Sequence, residues 1–126
     1  MEIRETFSVR VDQLQPSQIY LSEARIRNIA RHVNFLSRPV PVRKVNGQYC
    51  IVEGHERCYI LNSIGEENVT VYLDEKSNLS DEVFAEMVKF ASDAGITSIT
   101  DLDDRIVPPA QFKSLWLEKK KKFLGD

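Results

Sequence analysis

Apolar and polar residues alternate from Phe7 to Val11, the period-two pattern of a half-buried strand. Pro16 and Ser17 break it, and Ser22 then offers an oxygen to cap a helix. Ile26, Ile29, Ala30 and Val33 follow at helical spacing, predicting an amphipathic helix that ends near Asn34. Pro39 and Pro41 flank the start of an extended run over 40–45. Asn46-Gly47 is a strong hairpin signal, which makes 48–52 the returning strand. A second helix is expected over 55–64, stopped by Gly65. A further strand is expected over 69–73. Ser80, with Asp81 and Glu82 behind it, opens a long helix whose buried stripe is Val83, Phe84, Met87, Val88, Ala91 and Ala94, and Gly95 ends it. Residues 101–104 read as a short helical turn. Pro108 and Pro109 open a last helix with Phe112, Leu115 and Trp116 on one face. The order is strand, helix, hairpin, helix, strand, then helices. It predicts one α+β domain over 1–126, with a small mixed sheet, flanking helices and a helical C-terminal extension.

Composition narrows this little. At 126 residues the chain can bury a real core, and a formal charge of -2 provides no overall field to draw it onto nucleic acid. No apolar run approaches bilayer length and the first residues do not read as a signal peptide, so the expected location is the cytoplasm. Cys50 and Cys58 fit no zinc spacing and read as two reduced thiols, one on a strand and one on a helix.

Chemistry concentrates in Ile51-Val52-Glu53-Gly54-His55-Glu56-Arg57-Cys58-Tyr59-Ile60-Leu61, where an apolar strand runs through glycine into a helix. A helix N-terminus presents free backbone N–H groups and the positive end of its dipole, which suits phosphate. Gly54 permits a positive φ or a close approach of ligand to backbone. Arg57 can fork onto two phosphate oxygens, His55 can donate to phosphate or exchange protons, and Glu53 can hold Mg²⁺ or orient a nucleophile. Simpler roles are equally open at this point. Gly54 can be a tight turn only, Glu53 and Arg57 a local i,i+4 pair, and His55 a cap. The standard glycine-rich phosphate loop with Lys-Ser or Lys-Thr is absent.

The turn Gly54-His55-Glu56-Arg57 resembles that of the ParB/sulfiredoxin superfamily, where a strand ends in Gly-x-x-Arg before a helix and binds nucleotide phosphates. Arg38-Pro39-Val40-Pro41-Val42 resembles the element before the hairpin in ParB-like proteins, and Leu14-Gln15-Pro16-Ser17-Gln18 resembles the loop before their first helix. The likeness covers 7–73, with 80–124 as the helical extension. Sulfiredoxin activity requires cysteine where this chain has His55. ParB proteins bind CTP and carry a helix-turn-helix domain, for which the remaining chain is too short. The nearest motif is the Asp-Gly-His-x-Arg of free serine kinases, here Glu-Gly-His-Glu-Arg with Glu53 in place of aspartate. Ile96-Thr97-Ser98-Ile99-Thr100-Asp101-Leu102, Asp104-Arg105-Ile106 and Leu115-Trp116 resemble a subgroup of small bacterial ParB-like proteins.

The resemblance implies a nucleotide-binding protein using ATP, ADP or CTP with Mg²⁺. Phosphates would sit at Gly54, His55, Glu56 and Arg57. Glu23 would be the catalytic base and Glu53 would orient acceptor or metal. The implied reaction is phosphoryl transfer to a small hydroxyl substrate, free L-serine first. The alternative is a non-enzymatic nucleotide-sensing or DNA-associated module. A third possibility, a fold that has lost its activity, is kept open by the Glu53 departure. Glu23 has a plainer role as the i,i+4 partner of Arg27. Lys119 to Lys122 is a basic run that either touches nucleic acid or a membrane surface or, the plainer reading, is the solvated end of a helix, with cations at the negative end of its dipole. Arg25, Arg27, Arg31 and His32 make the first helix basic on its polar side, which either extends a phosphate-binding face or serves solubility.

Overall fold

The computed structural model describes residues 4–75 and 78–125. Strand β1 (Phe7–Arg10) gives way to a 3-10 turn at Val11–Gln13. Strand β2 (Leu21–Ser22) runs directly into helix α1 (Glu23–Arg31). Strands β3 (Val40–Val45) and β4 (Gln48–Ile51) form the hairpin, and helix α2 (His55–Ser63) leads to β5 (Asn68–Leu73). Helix α3 spans Asp81–Asp93, and β6 (Ile106–Val107) precedes α4 (Pro109–Phe112). A wider π turn, Lys113–Leu117, joins α4 to α5 (Glu118–Phe123).

The architecture is α+β. Four strands form a mixed sheet in the order β1-β5-β3-β4, with β5 antiparallel to β1 and parallel to β3. The sheet curls until its two edge strands meet side to side: the rings of Phe7 and Tyr49 lie 5.3 Å apart. Gln15 bridges to Cys50, its N–H donating to the Tyr49 carbonyl and its carbonyl accepting from Ile51. The Asn46-Gly47 turn has positive φ at both residues (53° and 80°), the geometry that matches the twist of a two-residue hairpin. Buried Arg43 bonds Asp74 at 3.0 Å and Asp81 at 3.0 Å, joining the middle of β3 to the start of α3.

The larger of two apolar clusters among the described residues holds the sheet and the C-terminal elements together, and the smaller packs Cys50 against Phe84 and Val88 of α3. Val11, Leu14, Leu21, Val40, Ile51 and Val71 pack with Met87, Ile99, Leu102, Phe112 and Trp116. The second sheet, β2 parallel to β6, pairs Leu21 with Ile106 and Ser22 with Val107. Two residues carry too little periodicity to announce a strand, and the sequence shows no sign of this pair.

Ser22 and Ser80 cap α1 and α3 as expected, accepting from the N–H groups of Arg25 and Val83. Some details differ from the sequence pattern. The short helical turn expected over 101–104 is a 3-10 turn at Ile99–Leu102, opened by Ser98. Helix α1 ends at Arg31, because His32 leaves helical geometry, and residues Val33–Ser37 form a separate 3-10 turn. Val33 therefore leaves the helical stripe and is 66% exposed. Ala94, beyond the end of α3, is exposed rather than on its buried face. Leu115 lies in the π turn, whose extra residue rotates it off the line joining Phe112 and Trp116, so it faces solvent.

The π register gives a direct test. Trp116→Ala should destabilise the protein by roughly 3–5 kcal/mol, the cost of emptying a large buried site. Leu115→Ala should stay within about 0.5 kcal/mol of wild type. Urea unfolding of the two variants checks both, and equal losses would refute the register.

Candidate functional site: an arginine-lined cleft at the start of α2

The β4–α2 turn is shaped by Gly54, whose φ of +92° is left-handed. Space is a second constraint there. A Cβ on Gly54 would lie 2.8 Å from Arg57 Nη2, so the guanidinium lies folded back over the glycine. Arg57 Nη1 donates to the carbonyls of Arg38 (2.9 Å) and Pro39 (3.4 Å), which leaves Nε and Nη2 as the free fork. Burial pulls this guanidinium below its ordinary pKa, yet it stays a cation. As helix N-cap, Gly54 supplies no side-chain acceptor to the first N–H groups of α2.

His55 and Glu56 face inward. The His55 ring is 1% exposed, and its Nε2 accepts the Ser17 N–H at 2.9 Å. Nδ1 therefore carries the proton of the neutral ring, and it has no partner among the described residues. Burial, with the nearby positive charges of Lys120 and Arg25, pushes the His55 pKa down to about 3. The expectation that this imidazole exchanges protons or donates to phosphate thus meets a neutral ring inside the core, serving as an anchor for the loop before β2. Glu56 is buried too: Oε2 accepts the Ser22 N–H at 3.0 Å and the Gln18 amide at 3.3 Å. The Ser17 hydroxyl donates to the Ile51 carbonyl at 2.6 Å, closing the same junction.

A cleft of about 260 Å³ opens beside this turn, lined by Arg25, Asn28 and Ile29 of α1, Phe35 and Arg38 of the connecting segment, and Glu56 and Arg57. Three arginines thus line one small space, although the Arg25 guanidinium carbon sits 5.2 Å from the centre of the buried Phe112 ring. Its one carboxylate, Glu56, is held by the Ser22 N–H and the Gln18 amide. Glu23 starts α1 in an ion pair with Arg27 and is not among the lining residues. Glu53 is exposed, one residue before Gly54, and also lies outside the lining. Among the described residues no group of three or more His, Cys, Asp or Glu side chains converges as a metal site. Mg²⁺ carried by a nucleotide needs only one or two protein carboxylates besides phosphate and water, and Glu53 is the exposed one nearest the turn. Cys50 and Cys58 are both free and buried, and burial pushes their thiols up to about 11 and about 12. Neither is a nucleophile at neutral pH.

Of the cleft residues, Asn28 and Phe35 carried no signal in the sequence. Arg25 was visible only as part of a basic helix face, and Arg38 only as part of the segment before the hairpin. Helical spacing places Arg25, Asn28 and Ile29 on one side of α1, but nothing local says that this side faces α2.

No protein-family model matches the chain, and no curated protein matches it in sequence. Its fold is similar to the crystal structure of protein Atu1540 from Agrobacterium tumefaciens, with a TM-score of 0.54 and 17% identity. The likeness covers 81% of this chain and 63% of that one, so this chain matches less than two thirds of Atu1540. At this identity the similarity concerns the fold alone. No helix among the described residues is long and apolar enough to cross a membrane.

The buried histidine generates a pH dependence. In the unfolded chain it takes a proton near pH 6.5, and in the folded chain only near pH 3. The unfolded state therefore binds the extra proton between these values. Stability is full above pH 6.5 and falls as pH drops, by up to about 1.4 kcal/mol per pH unit. Urea midpoints measured from pH 7.5 to 5 should show this slope. His55→Gln, whose amide oxygen can still accept the Ser17 N–H, should flatten it. An unchanged slope would contradict the neutral buried ring.

Proposed function

We propose that this protein is a ParB-like nucleotide-binding protein of the ParB/sulfiredoxin fold. It binds the phosphates of its ligand between α1 and the start of α2. The observation that carries the reading is the convergence of Arg25, Arg38 and Arg57 on one small cleft at a helix N-terminus that no side chain caps. Guanidinium groups are strong bidentate partners of phosphate, and free N–H groups at a helix start add to the same field. The backbone N–H groups of His55 and Glu56 are then these residues' contribution to the anion, while their side chains hold the scaffold. The Gly-x-x-Arg resemblance points the same way.

The composition of the cleft favours binding without chemistry. Its carboxylate is already engaged, and Glu23 would have to leave Arg27 before serving as a base. A non-enzymatic nucleotide-sensing module is therefore the leading form of the proposal. A phosphotransferase acting on a small hydroxyl substrate, in the manner of a free serine kinase, is the second. It is favoured by Glu53, an exposed carboxylate at the mouth of the turn. In that reading bound Mg²⁺ would neutralise phosphate charge, Arg57 would hold the transferring group, and Glu53 would orient the metal or acceptor. DNA association would draw on the basic side of α1, including Arg27 and Arg31, and would weaken steeply with salt.

Calorimetric titration with CTP, ATP and ADP in Mg²⁺ tests the site. Arg57→Ala should lose roughly 10- to 100-fold in affinity, the worth of charge-assisted bonds to phosphate. Unchanged affinity would remove the turn from the assignment. A phosphorus NMR time course with L-serine separates the two forms. Binding without turnover is expected, and a phosphoserine signal lost in Glu53→Gln would establish the kinase instead.

A further inference from the structure

Phe35 is an aromatic side chain without a core to serve. It lines the cleft and is half-buried, yet it is not among the residues packed on either hydrophobic cluster. Its ring is held by two polar neighbours. The His32 ring lies 5.6 Å away, its Nδ1 3.0 Å from the Asn28 carbonyl. The Arg38 guanidinium carbon sits 4.5 Å from the centre of the Phe35 ring. A flat, delocalised cation therefore lies over a flat ring inside the arginine-lined cleft.

We propose that Phe35 is the platform on which the ligand's base stacks, and that Arg38 covers this platform until phosphate draws its guanidinium away. The inference rests on the nucleotide-binding reading and makes the ligand class a base-bearing polyphosphate rather than a simple polyphosphate. Size supports the exchange. About 260 Å³ lies just below the usual range for small-molecule sites and accommodates a phosphate chain before it accommodates a base and sugar as well. Moving the Arg38 side chain off the ring opens room where a planar base can rest. The same movement adds a third guanidinium to the phosphates. The backbone carbonyl of Arg38 meanwhile keeps its bond from Arg57, so the side chain can swing without releasing the Gly54 turn. Asn28, on the wall formed by α1, offers an amide donor and acceptor to the edge of the base.

Calorimetry with inorganic tripolyphosphate, CTP and ATP tests the assignment on wild type, Phe35→Leu and Phe35→Trp. Phe35→Leu keeps an apolar group but removes the stacking face. It should leave tripolyphosphate affinity within about twofold of wild type and weaken CTP and ATP roughly 5- to 100-fold, the range for base–aromatic stacking. Phe35→Trp should keep the preference for nucleotides. Equal affinities of wild type for tripolyphosphate and nucleotides would overturn the platform while leaving the arginine cleft intact. So would a Phe35→Leu variant that binds nucleotides as wild type does. Failure of wild type to bind any of the three would overturn the cleft itself, and the platform with it.

Discussion

Two backbone N–H groups in the segment that precedes α1 end on the first turn of α2: that of Ser17 on His55, that of Ser22, in β2, on Glu56. The rest of the site depends on this double attachment. It fixes the stretch between residues 17 and 22, and with it the starting point of α1. Ser22 is tied at both ends, since its hydroxyl also caps α1 through the Arg25 N–H. The wall of the cleft is therefore set by bonds that never touch a ligand. Their burial makes them strong determinants of geometry, because a buried N–H left without a partner costs a large part of a domain's net stability.

The polar residues of the turn divide into two jobs by direction. On a helix, consecutive residues point to different sides, so His55 and Glu56 turn into the protein while Arg57 turns over Gly54 toward the cleft. Read along the chain, Glu-Gly-His-Glu-Arg looks like a cluster of reactive groups. Folded, two of its members are anchors, one is a fork, and Glu53 alone of the carboxylates stays in solvent.

This division explains what the sequence could reveal. Hydrophobic spacing and turn chemistry act locally, so the hairpin at Asn46-Gly47, the caps at Ser22 and Ser80 and the strands near Val40 and Val69 were legible. Glycine followed by a helix marked the turn, and Gly54 indeed takes a left-handed φ. Direction and long-range pairing were not legible. Nothing near His55 shows that its partner is Ser17, and nothing near Phe35 shows that it lines a cleft together with Arg57. Leu115 was misplaced because helical spacing assumes one kind of turn, and the chain uses a wider one there.

The shortest strands in the molecule carry a consequence for how it acquires its shape. β2 and β6 contribute two residues each, and beside them the Arg105 guanidinium reaches the Ile19 carbonyl at a sequence separation of 86. Contacts that distant close late, after the large loop between them has lost its freedom. The hairpin and α2 can form while that loop is still open. The segment leading into α1 is tied to the first turn of α2 by Ser17 and Ser22, and its strand partner β6 arrives near the end of the chain. A chain emerging from synthesis would already hold every residue that lines the cleft, and its last fifth would bring β6 and Arg105 to brace the strand behind α1.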